Sequence, residues 1–434
     1  MRRKKLQVSS SSWVLIFFGI CSNIILEASS FQNFKLEFKD KVYSNTIKTV
    51  QLFPSEDILA FPAIQLQSRQ TLELHFDDLR AQSTTYNYTI VHCNADWTPS
   101  DLMKSQYLDG YQDYFITEFA YSFNTYVPYT HYSLRLPNAQ IKPTLSGNYL
   151  LVVYKDNPNE PILTKRFVVF EDIANFSGRI RRPSKVETMD THQELDFNLN
   201  HSGYEIPNAF TDLHISLLQN QSWSSSIHSL KPRFIQNYLL NYDFDRENQF
   251  EGGNEWRVFD TKDDRNLSMN IRKIELDTNL TYYLETDQSR SINRYTTWDD
   301  INGLFVIRTT TGTDNQTESD YVWVDFFLQI EEPFRNQDAY VTGAFSNWSC
   351  LNEYKMFYDY SLGVYRKKIL LKQGYYNYMY SLADSPNSGL SLDDLEGNHW
   401  ETENSYQLIA YHREIGLRYD RVIAFSQFSS SDLY

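Results

Sequence analysis

Apolar and polar residues alternate with a period of two along much of this chain, and this pattern constrains its fold more than any other feature. Successive side chains of a strand point to opposite faces of a sheet, so the alternation predicts strands with one buried face. It is clearest in four segments, residues 34–38, 72–76, 195–199 and 213–217. The chain is therefore predicted to be all-β.

Residues 149–154, 167–170 and 321–330 are strongly apolar and rich in aromatic and β-branched side chains, as central strands are. Turn-forming residues separate the strands at the spacing of a sandwich. Helical periodicity is scarce, and residues 100–108 are the best candidate for one short helix, with Ser100 as its N-cap. These features predict tandem antiparallel β-sandwich domains of the immunoglobulin-like kind.

The length of 434 residues exceeds that of one ordinary domain. We expect one boundary near residue 172, before a polar stretch, and another near residue 332, after the most apolar strand of the middle portion. The predicted division is a signal peptide at residues 1–30 and sandwiches at 31–172, 173–332 and 333–434.

The first 30 residues have the features of an export signal. A basic start runs into an apolar stretch at residues 13–19, and small residues at 28–30 suit a signal peptidase. We expect this leader to be removed; lipidation at Cys21 and an uncleaved anchor are the alternatives, although Ile20 is larger than lipidation chemistry prefers. No later segment has the roughly 20 apolar residues of a membrane helix, so no membrane span is predicted.

Charge and cysteine content narrow the functional classes. The formal net charge of −15 disfavours nucleic acid and anionic lipid as partners. Only Cys93 and Cys350 lie beyond the leader, too few for a disulfide framework. We expect both to be buried reduced thiols, with pairing across a domain junction as the alternative.

Residues 92–97, His-Cys-Asn-Ala-Asp-Trp, and His131 downstream are residue types found in thiol enzymes. On a continuing strand, His92 and Cys93 point to opposite faces, so we interpret the segment as packing and turn residues. The sequence lacks zinc-ligand spacings, a nucleophile elbow and a phosphate-binding loop. Acidic loops at residues 243–247 and 260–264 are interpreted as solvated surface. We predict no catalytic residue, no cofactor and no metal site, and hence no enzyme.

The C-terminal part contains a different motif set, at residues 340–348 and 369–380. It resembles the early-set immunoglobulin-like modules that bind glycogen and starch. In that family aromatic rings stack on sugars, so the resemblance implies Trp348 as the platform, with Lys372 and Asn377 nearby. The alternative function is therefore an exported carbohydrate (glucan)-binding protein. Packing of Trp348 at a strand end is the structural interpretation of the same motif.

Nine motifs together indicate a more specific relationship. They are residues 92–97, 107–110, 122–125, 129–132, 136–138, 146–150, 395–399, 402–404 and 419–423. In this order they resemble the plug protein family of the type IX secretion system of Bacteroidetes. The resemblance covers most of the chain that follows the leader.

The resemblance implies a non-enzymatic periplasmic protein associated with the outer membrane. Its partner would be the giant outer-membrane β-barrel translocon, whose periplasmic opening it closes when no cargo is present. The family supplies no catalytic residues. The motifs instead suggest partner-binding or loop-shaping roles for five residues, Asp96, Trp97, Asp109, Asn124 and His131.

Overall fold

Strands account for 47% of the residues and helices for 4% in the computed structural model, which describes residues 36–385 and 391–433. This confirms the predicted all-β class and its antiparallel sandwiches. The predicted signal peptide at residues 1–30 lies outside the described residues. Within the described ranges, no helix has the length and apolar character needed to cross a bilayer.

The first part of the chain forms a two-sheet sandwich. Its elements are β1 (Lys41–Val42), β2 (Ile47–Pro54), β3 (Ala63–Gln65), β4 (Leu72–Asp78), β5 (Asn87–Cys93), α1 (Lys104–Tyr107), β6 (Leu108–Gly110), β7 (Tyr114–Phe115), β8 (Glu118–Tyr121), β9 (Thr130–Leu136), β10 (Ile141–Pro143), β11 (Gly147–Tyr154) and β12 (Pro161–Phe170). One sheet has the order β1–β12–β11–β5–β7, with β3 parallel to β12; the other has the order β2–β4–β9–β8. Alternate residues of both sheets, such as Leu74 and Leu151, share one buried core.

The helix predicted over residues 100–108 is shorter than expected, and its predicted N-cap is wrong. Helix α1 begins at Lys104, with Met103 at the N-cap position. Ser100 instead continues the pairing at the end of β5, because its backbone N–H donates to His92 O at 3.0 Å. Its hydroxyl lies 3.0 Å from His92 Nδ1, so the polar side chain serves a tertiary contact rather than a helix end.

The middle part continues the all-β pattern. Its strands are β13 (Asn175–Arg181), β14 (His192–Asn200), β15 (Leu213–Gln219), β16 (Ser222–His228), β17 (Phe234–Gln236), β18 (Leu239–Tyr242) and β19 (Gln249–Glu251). One sheet has the order β13–β14–β18–β17, and β19 also pairs with β14.

The following segment forms another pair of sheets. Its elements are β20 (Arg257–Asp260), β21 (Ile271–Leu276), β22 (Leu280–Gln288), β23 (Phe305–Ile307), α2 (Asn315–Glu318), β24 (Tyr321–Gln329), β25 (Asp338–Thr342), β26 (Phe357–Asp359), β27 (Val364–Lys372) and β28 (Gly374–Ala383). The sheet orders are β20–β28–β23, with β25 also on β28, and β21–β22–β24–β27–β26. Strands β22 and β24 are parallel.

The last two strands, β29 (Ser405–His412) and β30 (Arg421–Ser429), return to the middle part of the chain. They complete a sheet of order β16–β15–β29–β30. Their buried side chains, including Tyr406, Leu408 and Ile423, share a core with β14 and β15. The chain that connects the middle part to these last two strands begins and ends at adjacent positions, because the backbone N–H of His399 donates to the carbonyl oxygen of Gly253 at 2.8 Å.

This pairing bears on the domain division, for which the boundaries at residues 172 and 332 remain a prediction. A cut at residue 332 would leave β15 and β29 in different domains although they pair along their length. We propose a nested division instead. It consists of a first unit (residues 36–172), a second unit (173–253 with 402–433) and an inserted unit (254–401). Insertions of this kind require adjacent chain ends, as at Gly253 and His399.

Candidate functional site

The turn after β5 forms an aromatic joint between the first and second units. Trp97, at φ 65°, occupies the left-handed region in this turn. Its indole packs edge-on against Trp223 of the second unit, with 4.9 Å between ring centroids. The Arg166 guanidinium lies 5.2 Å from the Trp97 ring and 5.0 Å from the Trp223 ring. Cation–π contact with two rings favours one relative position of the two units.

Polar contacts extend the same joint. Asp420 of the second unit accepts a hydrogen bond from Ala95 N at 2.9 Å and another from Arg413 Nε at 2.7 Å. The second-unit Arg413 also donates to Asn94 Oδ1 at 2.9 Å. Asp96 is exposed, and its carboxylate accepts from the backbone and the hydroxyl of Thr98. In this structure Asp96 thus shapes the turn that presents its neighbours to the second unit.

His92 and Cys93 are both buried, and neither resembles a catalytic group. His92 Nε2 donates to Ser146 O at 3.1 Å, and burial lowers the pKa of His92 to about 4. Burial raises the pKa of the Cys93 thiol to about 12, where it remains protonated at neutral pH. Cys93 and Cys350 are both free and buried, which confirms the prediction of reduced thiols.

His131 belongs to a buried ionic joint between the first unit and the inserted unit. Its Nδ1 donates to Asp77 Oδ1 at 2.7 Å. The other carboxylate oxygen of Asp77 accepts from Lys372 Nζ and from the Tyr321 hydroxyl, each at 2.7 Å. Lys372 Nζ also lies 4.2 Å from the centroid of the Tyr129 ring. The aspartate of one unit is therefore enclosed by donors from both units.

The electrostatics of this joint follow from its burial. Burial alone raises the pKa of Asp77, but Lys372 and His131 lower it, and the pKa lies below its ordinary value. The carboxylate is therefore ionised and paired. Breaking such a pair leaves an uncompensated buried charge, which is far costlier than losing a surface ion pair.

Of the residues implied by the resemblance to glycogen-binding modules, Lys372 and Asn377 lie inside the fold, each 0% exposed. Asn377 Oδ1 accepts from the backbone N–H groups of Ile301 at 2.7 Å and Gly303 at 3.2 Å. Trp348 is half-buried at φ 48°, and its backbone N–H donates to Gly343 O. The structure does not bring the three residues together on one open surface.

Asp109 and Asn124 are both exposed and belong to a surface that was not predicted from the sequence. Six aromatic side chains in the segment between β6 and β9 are 44% to 69% exposed. They are Tyr111, Phe115, Phe119, Tyr121, Phe123 and Tyr126. We call the surface formed by residues 109–126 the acidic aromatic edge, since it contains Asp109, Asp113 and Glu118 and no Lys or Arg. The aromatic and acidic composition of this segment is the sequence feature from which the surface could have been predicted.

A cluster of carboxylates in the second unit has the spacing of a metal site. Oxygen atoms of Glu194, Asp196 and Asp243 lie within 4.8 Å of one another. The Arg181 side chain, however, pairs with Glu194 and Asp196 and also approaches Asp243. The guanidinium thus supplies the positive charge that this cluster requires.

Two of the three C-terminal motifs also lie at ion pairs, one buried and one partly buried. In the inserted unit, Glu396 accepts from Arg257 Nε at 3.0 Å and from Arg290 Nε at 2.8 Å. Burial raises the pKa of Glu396, but the two guanidinium groups lower it below its ordinary value. In the second unit, Arg421 Nη2 pairs with Glu171 at the end of the first unit at 2.7 Å. Arg166, Asp77 and Glu171 were not identified from the sequence, because their partners are distant along the chain.

The fold and these contacts define a class of protein. It is a β-sandwich protein of several units, whose motif residues are concentrated at the contacts between and within the units. Residues 47–171, from the start of β2 to just past β12, match the family described as the type 9 secretion system plug protein 1st domain. The chain therefore contains the first domain of the type IX secretion system plug protein family and is a component of that system.

Comparison with solved structures adds a relative along nearly the whole chain. The crystal structure of a hypothetical protein from Parabacteroides merdae ATCC 43184, at 2.30 Å resolution, is 33% identical and covers 91% of this chain and 100% of that chain, with a TM-score of 0.87. The C-terminal domain of the Streptococcus pyogenes antigen I/II-family protein AspA is 7% identical and covers 88% of this chain and 99% of that chain. Its TM-score of 0.16 is too low to indicate a shared fold. Comparison with curated proteins gave no match.

Proposed function

We propose that this protein binds the outer-membrane translocon barrel of the type IX secretion system and closes its periplasmic opening when no cargo is present. The observation that carries the proposal is the match of residues 47–171 to the plug protein family. The protein acts in the periplasm at the outer membrane, to which the predicted leader directs it.

The contacts between units support a closing role on physical grounds. A body that blocks a wide opening must keep its shape while one side of it is loaded. The Asp77–Lys372 pair connects the first and inserted units, and Arg166 lies against tryptophans of the first and second units. Because these contacts are shielded from solvent, breaking them costs more free energy than breaking exposed ion pairs, and they therefore resist bending between the units.

The proposed role involves contact rather than chemistry. Closure must be reversible, so the interface with the barrel should combine aromatic anchors with polar groups rather than form one dry apolar surface. The raised pKa of Cys93 and the hydrogen bonds of His92 and His131 within the fold support a non-enzymatic role.

Affinity isolation from native membranes tests the proposal. A tagged chain expressed at its natural level should co-purify with a very large outer-membrane β-barrel protein after mild detergent extraction. Tagged protein added only after extraction is the matched control for adventitious association. Recovery of the chain solely as a free periplasmic or cell-surface protein, under several growth conditions, would contradict the proposal.

A further inference from the structure

The acidic aromatic edge includes a short edge strand that lacks lysine, proline and a bulge. Strand β8 ends the sheet β2–β4–β9–β8 and, within the described residues, pairs with β9 alone. About half of the backbone N–H and C=O groups of such a strand point away from its single neighbour. All four residues of β8 are exposed, so these groups are accessible.

The opposite edge of the same sheet provides an internal comparison. Strand β2 carries Lys48 and Pro54, and its pairing with β4 is irregular between Lys48 and Gln51. Lysine, proline and bulges are the devices by which proteins prevent other strands from adding to an edge. Strand β8, with the sequence Glu-Phe-Ala-Tyr, has no lysine or proline, and its pairing with β9 shows no irregularity. Its unprotected edge is therefore suited to accept another strand.

Most aromatic side chains of this surface are exposed and lie beside one another, although Tyr114 also packs against the core of the first unit. The Tyr114 ring lies 5.4 Å from the Tyr111 ring and 4.5 Å from the Phe115 ring. Phe119 and Tyr121 lie 6.1 Å apart on β8. Exposed aromatic clusters of this kind are typical of interfaces, where tyrosine and phenylalanine are enriched.

Charge indicates what kind of strand fits. The chain has no Lys or Arg between Lys104 and Arg135, whereas Asp109, Asp113 and Glu118 lie in that interval. Lys104 lies 3.3 Å from Asp113 and offsets one of these charges, and Lys142 lies opposite Asp109 in the β6–β10 pair and offsets another, which leaves Glu118 on β8. Helix α2 adds Glu318 nearby, because Thr317 O accepts from Phe123 N at 2.9 Å. A second copy of this chain would bring like charges together, so a cationic partner is favoured.

We propose that the acidic aromatic edge is the docking site for an extended segment rich in lysine or arginine, which adds to β8 as a further strand. Main-chain hydrogen bonds to β8 supply affinity, and the aromatic and acidic side chains select the segment. The inference rests on the proposed function, since it takes the translocon barrel as the protein that supplies the segment.

Site-directed variants and co-purification of the barrel test the docking site. Phe119→Ser/Tyr121→Ser removes two anchors, and Asp109→Lys/Glu118→Lys reverses two charges. The matched controls make the same changes elsewhere: Phe357→Ser/Tyr360→Ser at the exposed edge strand β26 and the loop after it, and Glu331→Lys/Glu332→Lys in an exposed turn. Each edge variant should retain barrel about tenfold less well than wild type, and both controls should match wild type.

Hydrogen exchange of the wild-type complex provides a test that does not depend on a variant folding. Amides of residues 118–121 should exchange more slowly in the complex than in the free protein, because an added strand protects the outward-facing groups. Higher salt should weaken retention of the barrel, since exposed opposite charges are screened.

The outcomes separate the docking site from the proposed function. If the wild-type protein recovers the barrel and the edge variants recover it equally well, the docking site is overturned and the proposed function stands. The same holds if the wild-type protein recovers the barrel but the amides of residues 118–121 stay unprotected in the complex. Wild type that recovers no barrel would overturn both. Concentration-dependent dimers that the edge variants abolish would also overturn the docking site, because a second copy would then be its occupant.

Discussion

At the scale of single residues, the Asp77–Lys372 pair is the contact with the largest expected effect. Lys372→Met leaves Asp77 buried without its main counter-ion and should lower the free energy of unfolding by about 3–5 kcal/mol. Lys48→Met, which removes a more exposed ion pair with Glu353, should cost less than about 1 kcal/mol. Urea unfolding of the three proteins measures the difference. Equal losses in the two variants would show that the buried pair does not hold the units together.

His92 should make stability depend on pH. Its pKa is lowered by burial from 6.5 to about 4, so its contribution is complete above pH 6.5 and is lost as the pH falls toward 4. The loss should reach about 3 kcal/mol. His92→Gln removes the titration and can still donate to Ser146 O. As the pH falls from 6.5 toward 4, the free energy of unfolding of the wild-type protein should therefore decrease relative to that of the variant. A difference between the two that stays constant with pH would contradict a neutral, buried imidazole.

The two thiols should be inert in the folded protein. Burial raises the pKa of both Cys93 and Cys350 to about 12, so almost no thiolate forms at neutral pH. A small thiol reagent at pH 7.5 should label neither cysteine until denaturant is added, and then both. Rapid labelling of Cys93 in the folded chain would revive the thiol-enzyme interpretation.

At the scale of strands and units, the nested division makes a prediction about fragments. A chain ending at residue 401 lacks β29 and β30, and with them the buried Tyr406, Leu408 and Ile423. Each such side chain contributes about 1.5–3 kcal/mol, a sum comparable with the total stability of a domain. Amides of β14 and β15 should therefore lose protection from hydrogen exchange in this fragment. Unchanged protection would favour consecutive domains.

The sequence predicted the strands well because alternation is a local signal. Residues 72–76, 195–199 and 213–217 lie within β4, β14 and β15, as their patterns required, but the strand predicted at residues 34–38 is wrong in its described part, since residues 36–38 form no strand. The start of α1 was wrong because Ser100 bonds to a strand that is brought beside it only by folding. The return of β29 to β15 has no local signal, since the paired strands lie almost 200 residues apart.

The residues proposed for function show the same limit. The turn at residues 94–97 was identified from its turn-forming residues, but its contact with Trp223 depends on the second unit. Lys372 was assigned to a sugar surface by resemblance, whereas the structure places it against Asp77, 295 residues earlier. The exposed aromatic residues of β8 could have been suspected from their composition but not distinguished from core residues, because exposure depends on which strand ends the sheet.

At the scale of the whole molecule, the motif residues explain why three units act as one body. Trp97, His131 and Arg421 each contact another unit or a residue that does. The free edge of β8 lies on the side away from β9, although Ala120 of β8 pairs with His131 of the ionic joint. We infer that the joints maintain the shape of the plug, while the acidic aromatic edge determines where it seats.

The central claim is that the protein closes a pore, and uptake of a large fluorescent dye by living cells tests it most directly. Cells that lack this protein should take up more dye than wild-type cells, and the wild-type gene should restore the barrier. Removing the translocon barrel as well should abolish the extra uptake. Uptake that is unchanged by loss of the protein, or that persists without the barrel, would contradict a role in closing the translocon.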